Sequence, residues 1–122
     1  MNFAFSEEQE FLRQTAREWL EKKSPSSKVR ELMETAEGFD RGQWEELAGL
    51  GWHAMAIPEE YGGAGYGFLA VAVLLEEMGR ALLPAPFFST VVLAANGILL
   101  VGSDDQKAAL LPGIAAGETI AT

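Results

Sequence analysis

With 122 residues, 48% hydrophobic and 22% charged, the chain can bury one core and is too apolar to be disordered. Eighteen acidic against nine basic residues give a net charge of −9, which argues against nucleic acid or an anionic membrane as a partner. The lack of cysteine excludes disulfides, thiolate metal sites and a thiol nucleophile.

Helical periodicity runs through the chain and predicts an all-α, up-and-down bundle of five to six helices. The first helix starts after Ser6, with Ser6 and Gln9 spaced as a capping box. Phe11, Leu12, Thr15, Ala16, Trp19 and Leu20 form its apolar stripe. A weaker second helix is expected from about Pro25 to Ala36, with Val29, Leu32 and Met33 inward. Asp40 caps a third, which carries Trp44, Leu47, Ala48 and Leu50 and ends at Gly51. Next comes Ile57-Pro58-Glu59-Glu60-Tyr61-Gly62-Gly63-Ala64-Gly65, too dense in proline and glycine for helix or strand. A fourth helix is expected from about Gly67 to Leu82. Pro84 and Pro86 force a break before a fifth, from about Phe87 to Val101. Both are apolar all round and so are expected to be buried on all sides. Ser103 or Asp104 caps a sixth helix, which presents Ala108, Leu110, Leu111, Ile114 and Ala115. Pro112 predicts its kink or early end.

The start, Met1-Asn2-Phe3-Ala4, lacks the basic and long apolar regions of a signal peptide. The most apolar stretch, residues 87–101, is shorter than the about 20 residues a membrane helix needs. A cytoplasmic protein without a membrane span is therefore expected. Two all-round apolar helices need more cover than four short neighbours supply, and the chain stops at Thr122 without a polar tail. A domain of a longer protein, or one that docks on a partner, is the expectation.

Few residues invite a catalytic reading. His53, the single histidine, has no serine or cysteine nucleophile beside it and reads as a packing residue. Glu59 and Glu60 are adjacent and point apart, which suits no acid–base pair. Glu76 and Glu77 are spaced to pair with Arg80 at i+4 and i+3. The glycines at 62, 63 and 65 follow no strand and precede no Lys-Ser/Thr pair, so they form no phosphate loop. A tight turn that lets two helices approach is the expected role.

Two segments carry a family resemblance. Trp44, Leu47 and Gly51-Trp52 lead into Pro58-Glu59-Glu60-Tyr61-Gly62-Gly63-Ala64-Gly65. Then Gly102-Ser103-Asp104-Asp105-Gln106-Lys107 leads to Leu111-Pro112-Gly113-Ile114-Ala115-Ala116-Gly117-Glu118. In order and spacing they resemble the N-terminal helical domain of acyl-CoA dehydrogenases, across nearly all of residues 1–122. The resemblance implies α,β-desaturation of an acyl-CoA by a carboxylate base and FAD, with an electron-transfer flavoprotein reoxidising the flavin. It places the catalytic glutamate and most FAD contacts in middle β and C-terminal domains beyond Thr122, so no catalytic, cofactor or metal residue falls here. Aligned back from Gly102, the helix that walls the acyl pocket puts Ala85, Pro86, Ser89, Thr90 and Leu93 at substrate-binding positions. Phe87 and Phe88 shape the same pocket, and the domain shields the flavin from water. The bland alternative for Ser89 and Thr90 is a hydroxyl bonded back to the preceding turn. Leu83-Pro84-Ala85-Pro86-Phe87 resembles an actinobacterial branch in which some members take bulky or ring-bearing thioesters and form mixed tetramers. A homo- or heterotetramer is thus implied. A non-catalytic subunit of a mixed tetramer and a free-standing helical interaction module are the alternatives.

Overall fold

The computed structural model describes residues 3–122. Met1 and Asn2, read above as lacking a targeting signal, lie outside the described residues. The fold is all-α, as expected, with six α-helices and no strand among the described residues. They are α1 (Glu7–Lys23), α2 (Ser26–Met33), α3 (Arg41–Gly49), α4 (Phe68–Ala81), α5 (Ala95–Val101) and α6 (Asp104–Ala115).

The helix starts follow local chemistry. Ser6 and Ser103 each close a capping box with Gln9 and Gln106, and Asp40 accepts from the Gln43 amide. Three helices end alike. In α3, Gly51 N–H donates to Ala48 O at 2.9 Å and Trp52 N–H to Leu47 O at 3.2 Å. In α6, Gly117 donates to Ile114 and Glu118 to Gly113; in α4, Leu82 donates to Gly79 and Leu83 to Met78. Each is a Schellman end, whose hinge residue must be left-handed. Gly51 (φ 82°) and Gly117 (φ 78°) meet that need freely, whereas Leu82 (φ 55°) is the single non-glycine residue with positive φ among those described. A β-carbon in that region costs about 1–2 kcal/mol.

The centre of the fold is α1 against α4. Ala16 and Leu20 from α1 meet Val71, Leu74 and Met78 from α4, with Trp44, Leu47, Trp52, Phe87 and Val91 closing the core. A second cluster joins Ile57 and Ala95 to Leu111, Ile114 and Ala115 of α6. Inside the first interface sits Glu77, 1% exposed. Arg17 Nη2 reaches its carboxylate at 2.6 Å and Arg80 Nε at 3.3 Å. Burial pushes the Glu77 carboxyl up, but the Arg17 and then the Arg80 contacts outweigh it and hold it below its usual value. Glu76 pairs with Arg13 at 2.7 Å. Arg80 therefore partners Glu77 as expected, while Glu76 turns to α1 instead, because α1 brings a cation to its side of α4.

The glycine-rich loop folds back on itself. Ala64 N–H donates to Ala54 O at 2.8 Å and Tyr66 N–H to Met55 O at 2.8 Å. A side chain at Gly63 would overlap the Ile57 carbonyl, so glycine is required there. Gly62 (φ 85°) lies against Pro112 of α6, which is where the loop and a helix approach.

Several expectations are corrected. α2 ends at Met33 rather than Ala36, where Thr35 Oγ1 donates to Leu32 O, and Met33 is 72% exposed rather than inward. Phe11, Leu50 and Leu110 are exposed, since each lies at the edge of its stripe, past the reach of the neighbouring helix. α6 continues through Pro112 to Ala115. The fifth helix is not α throughout: Phe88–Ala94 is π-helical, with Ala95 N–H donating to Thr90 O. Nor are the two apolar helices buried on all sides. Phe68 and Leu69 on α4, and Phe88, Leu93, Leu100 and Val101 on the π-helix and α5, remain open, because only one face of each meets another helix.

Arg17→Ala leaves the buried Glu77 carboxylate with Arg80 alone, and the expected loss of stability is about 1.5–3 kcal/mol. Urea unfolding at neutral pH measures it. A loss no greater than that of an exposed Arg30→Ala control would show that Glu77 does not depend on Arg17.

Candidate functional site

The Schellman end at Leu82 and the two prolines set the geometry that follows α4. Leu82 turns the chain sharply, Pro84 and Pro86 bar helix through the connection, and Phe87 opens the π-helix. The result is an apolar groove of about 330 Å³ between the last turns of α4 and the returning chain. Leu75, Met78 and Gly79 form one side; Leu82, Leu83, Ala85, Phe87 and Phe88 form the other. No charged side chain lines it.

Of the five positions expected to touch substrate, Ala85 lines this groove, together with the two phenylalanines expected to shape it. Pro86 is half-buried beside them and accepts the Ser89 hydroxyl at 3.3 Å, which is the back-bonding alternative realised for Ser89. Thr90 behaves differently. It is fully buried and its hydroxyl donates to Ala121 O and accepts from Ala121 N–H, both at 3.0 Å. That tie spans 31 residues from within the π-helix, and no spacing pattern announces it. Leu93 is 56% exposed and is not among the groove's lining residues. Leu82, Leu83, Leu75, Met78 and Gly79 were missed. The proline pair after Leu83 was the one available signal that the chain doubles back over α4.

A second, larger groove of about 590 Å³ lies at the start of α1, lined by Phe11, Leu12, Met55, Tyr66 and Ala70 with Glu7 and Glu8 beside them. Among the described residues no group of three His, Asp or Glu is placed to hold a metal ion.

His53 packs directly behind the first groove. Its ring is fully buried, 4.0 Å from that of Trp44 and 5.7 Å from that of Phe87. Neither ring nitrogen has a hydrogen-bond partner among the described residues. Burial therefore lowers its pKa from 6.5 to about 4, and the ring is neutral at pH 7. It is the packing residue the sequence indicated. Trp44 donates to Gly117 O at 3.0 Å, so His53 sits where α3, the loop and the end of α6 converge.

The arrangement is thus an apolar groove on a helical face, with no charged side chain among its lining residues. Residues 6–118 match the acyl-CoA dehydrogenase N-terminal domain, and the chain belongs to that family. It is 40% identical over 116 residues to acyl-CoA dehydrogenase IpdE2 of Mycolicibacterium smegmatis, across 94% of this chain and 37% of that protein. Acyl-CoA dehydrogenase FadE12 of Mycobacterium tuberculosis is 36% identical over 124 residues, across 95% of this chain and 30% of its own length. Among solved structures, the ChsE4–ChsE5 complex from Mycobacterium tuberculosis superposes with a TM-score of 0.89 at 28% identity, covering 98% of this chain and 33% of that one. A variant of the Tcur3481–Tcur3483 steroid ACAD superposes at 0.82 with 39% identity, covering 91% and 30%. The chain thus spans about a third of the length of the curated relatives it matches.

Because the folded-state pKa of His53 lies below its unfolded value, the unfolded chain binds the proton more tightly. Its contribution is complete above about pH 6.5 and is lost as pH falls towards 4. The expected loss over that window is about 3 kcal/mol, and His53→Met should flatten that part of the profile. Denaturant midpoints at pH 4, 5, 6 and 7 decide it; equal slopes for the two proteins would show that His53 does not titrate on unfolding.

Proposed function

We propose that this chain is the helical wall of an FAD-dependent acyl-CoA dehydrogenase. The whole protein would desaturate an acyl-CoA between its α and β carbons. The family match over residues 6–118 carries this reading. The apolar groove supports a narrower role: the region of Ala85, Pro86, Ser89, Thr90 and Leu93 walls the acyl chain, with Ala85 nearest the groove itself. At about 330 Å³ the groove is at the small end of ligand pockets, which suits the distal part of an apolar chain rather than a whole thioester. An apolar wall takes up methylene groups at about 0.8 kcal/mol each and keeps water from the reacting end.

Six of the nine cationic side chains, those of Arg13, Arg17, Lys23, Lys28, Arg41 and Arg80, are engaged with carboxylates, which leaves few to meet a diphosphate. Glu7 and Glu8 border the larger groove, and the smaller one is apolar. In this proposal FAD is held by parts of the protein outside residues 3–122, and this domain contributes shielding. No described helix is long and apolar enough to cross a membrane; a cytoplasmic location and an electron-transfer flavoprotein as the oxidising partner belong to the same proposal.

A second reading has its own support. Two solved neighbours are named as two-component assemblies, ChsE4–ChsE5 and Tcur3481–Tcur3483. This chain can belong to one member of a mixed tetramer, including a member without chemistry of its own.

The full-length protein containing this chain is expected to be yellow, and its flavin band to bleach anaerobically with an acyl-CoA. A protein that stays colourless after incubation with FAD would overturn the enzyme reading in favour of the structural subunit. Ala85→Trp should cut kcat/KM for the longest accepted acyl-CoA by about tenfold or more while sparing the shortest. An unchanged ratio would remove Ala85 from the pocket wall.

A further inference from the structure

Leu82 is the strained residue of this fold, and it sits on the rim of the groove. Its backbone is left-handed at φ 55°, its side chain is 72% exposed, and it lines the groove with Leu83 and Phe88. The chain supplies its own comparison. Two other helices end in the same pair of hydrogen bonds, and both use glycine at the hinge, Gly51 and Gly117. Neither of those glycines lines a groove. Glycine at position 82 would ease the turn, and no core packing is lost, because the side chain is mostly in the open. The strain is thus unexplained by the stability of the described residues. Strain of this kind persists where a side chain is wanted at a fixed place.

We propose that Leu82 is a specificity-determining residue. Its left-handed hinge holds an isobutyl group over the mouth of the groove, where it closes on the apolar end of the acyl chain. This rests on the acyl-CoA dehydrogenase reading above. It commits the groove to an unfunctionalised hydrocarbon terminus, because Leu75, Met78, Leu83 and Phe87 offer no side-chain oxygen or nitrogen to a polar one. Leu82 is a contact and positioning residue for the distal chain and takes no part in the chemistry at the thioester end.

The full-length enzyme tests it with two substitutions that keep the hinge. Leu82→Gly fits the left-handed backbone without strain, and Leu82→Asn tolerates it while making the rim polar. Steady-state kinetics on a short and a long straight-chain acyl-CoA, with thermal melts of the same preparations, give the readout. The expected result is a fall of about tenfold in the long-over-short ratio of kcat/KM for both variants. It should appear in KM for the long substrate, with Tm for Leu82→Gly equal to or above that of the parent. A lowered Tm with an unchanged ratio would overturn the proposal, since Leu82 would then be packing against another part of the protein. An unchanged ratio with unchanged Tm would overturn it too. If the parent enzyme turns over no acyl-CoA at all, the functional reading fails and this inference falls with it. If the parent turns over both substrates and only the ratio is insensitive, Leu82 alone is excluded.

Discussion

The buried carboxylate of Glu77 sets the constraint on which the rest of the fold depends. A charge taken out of water is tolerated only with partners at close range, and those partners are Arg17 from α1 and Arg80 from its own helix. α1 can therefore sit on α4 at one rotation and one height, with Arg13 and Glu76 a turn away in the same register. Hydrophobic contact alone between Leu20, Val71 and Leu74 would allow sliding. The ion pairs remove that freedom, and the end of α4 is thereby placed where Leu82, Pro84 and Pro86 can turn the chain back over it.

From that point, backbone restrictions shape the groove. Leu82 ends α4 with a left-handed turn, the prolines deny a helix to the connection, and the π-helix spends one more residue per turn than an α-helix would. Within it Thr90 faces inward to Ala121 and Phe88 stays at the groove. The tie to Ala121 uses both the donor and the acceptor of the hydroxyl, so a buried polar group that would otherwise be costly is satisfied. His53 behind the same wall is the opposite case. Its ring nitrogens find no partner among the described residues, and the neutral ring packs as an aromatic between Trp44 and Phe87.

Much of this was legible in the sequence, for identifiable reasons. Helix starts are local events: Ser6 announced its own with Gln9 three places on, Asp40 by its residue type, and the sixth start was narrowed to Ser103 or Asp104. Helix ends at Gly51 and the break at Pro84–Pro86 were equally local, and so was the nine-residue loop whose glycines allow it to fold back past the Ile57 carbonyl. Glu77 with Arg80 followed from i+3 spacing. What lay beyond reach was set by tertiary contact. Glu76 chose Arg13 across 63 residues, Thr90 chose Ala121, and the π-helix has no periodic signature in Phe88–Ala94. Leu82 is the instructive miss: a leucine after a leucine-rich helix reads as one more helical residue. Only the paired hydrogen bonds of its neighbours reveal that it occupies a glycine's place. For the site, the aligned turn contributes Ala85, Phe87 and Phe88 to the groove, while Leu75, Met78 and Gly79 come from α4, which the alignment of that turn could not include.

The distribution of polarity in this chain runs against that of a self-contained domain. A carboxylate and a histidine are buried, while Phe88, Leu93, Leu100 and Val101 lie open along one segment. A row of that kind left in water costs free energy that the small core here is poorly placed to offset, since each such side chain is worth about 1.5–3 kcal/mol when covered. The same residues are economical if they face other apolar surface, whether protein or acyl chain. The buried Glu77 carboxylate and its arginines fix α1 on α4, and under the proposed function a fixed apolar wall is what distinguishes one hydrocarbon from another. A loose wall would collapse around any chain and select none. The interior polar groups and the exposed apolar ones are thus two parts of one arrangement: the first hold the shape, and the second present it.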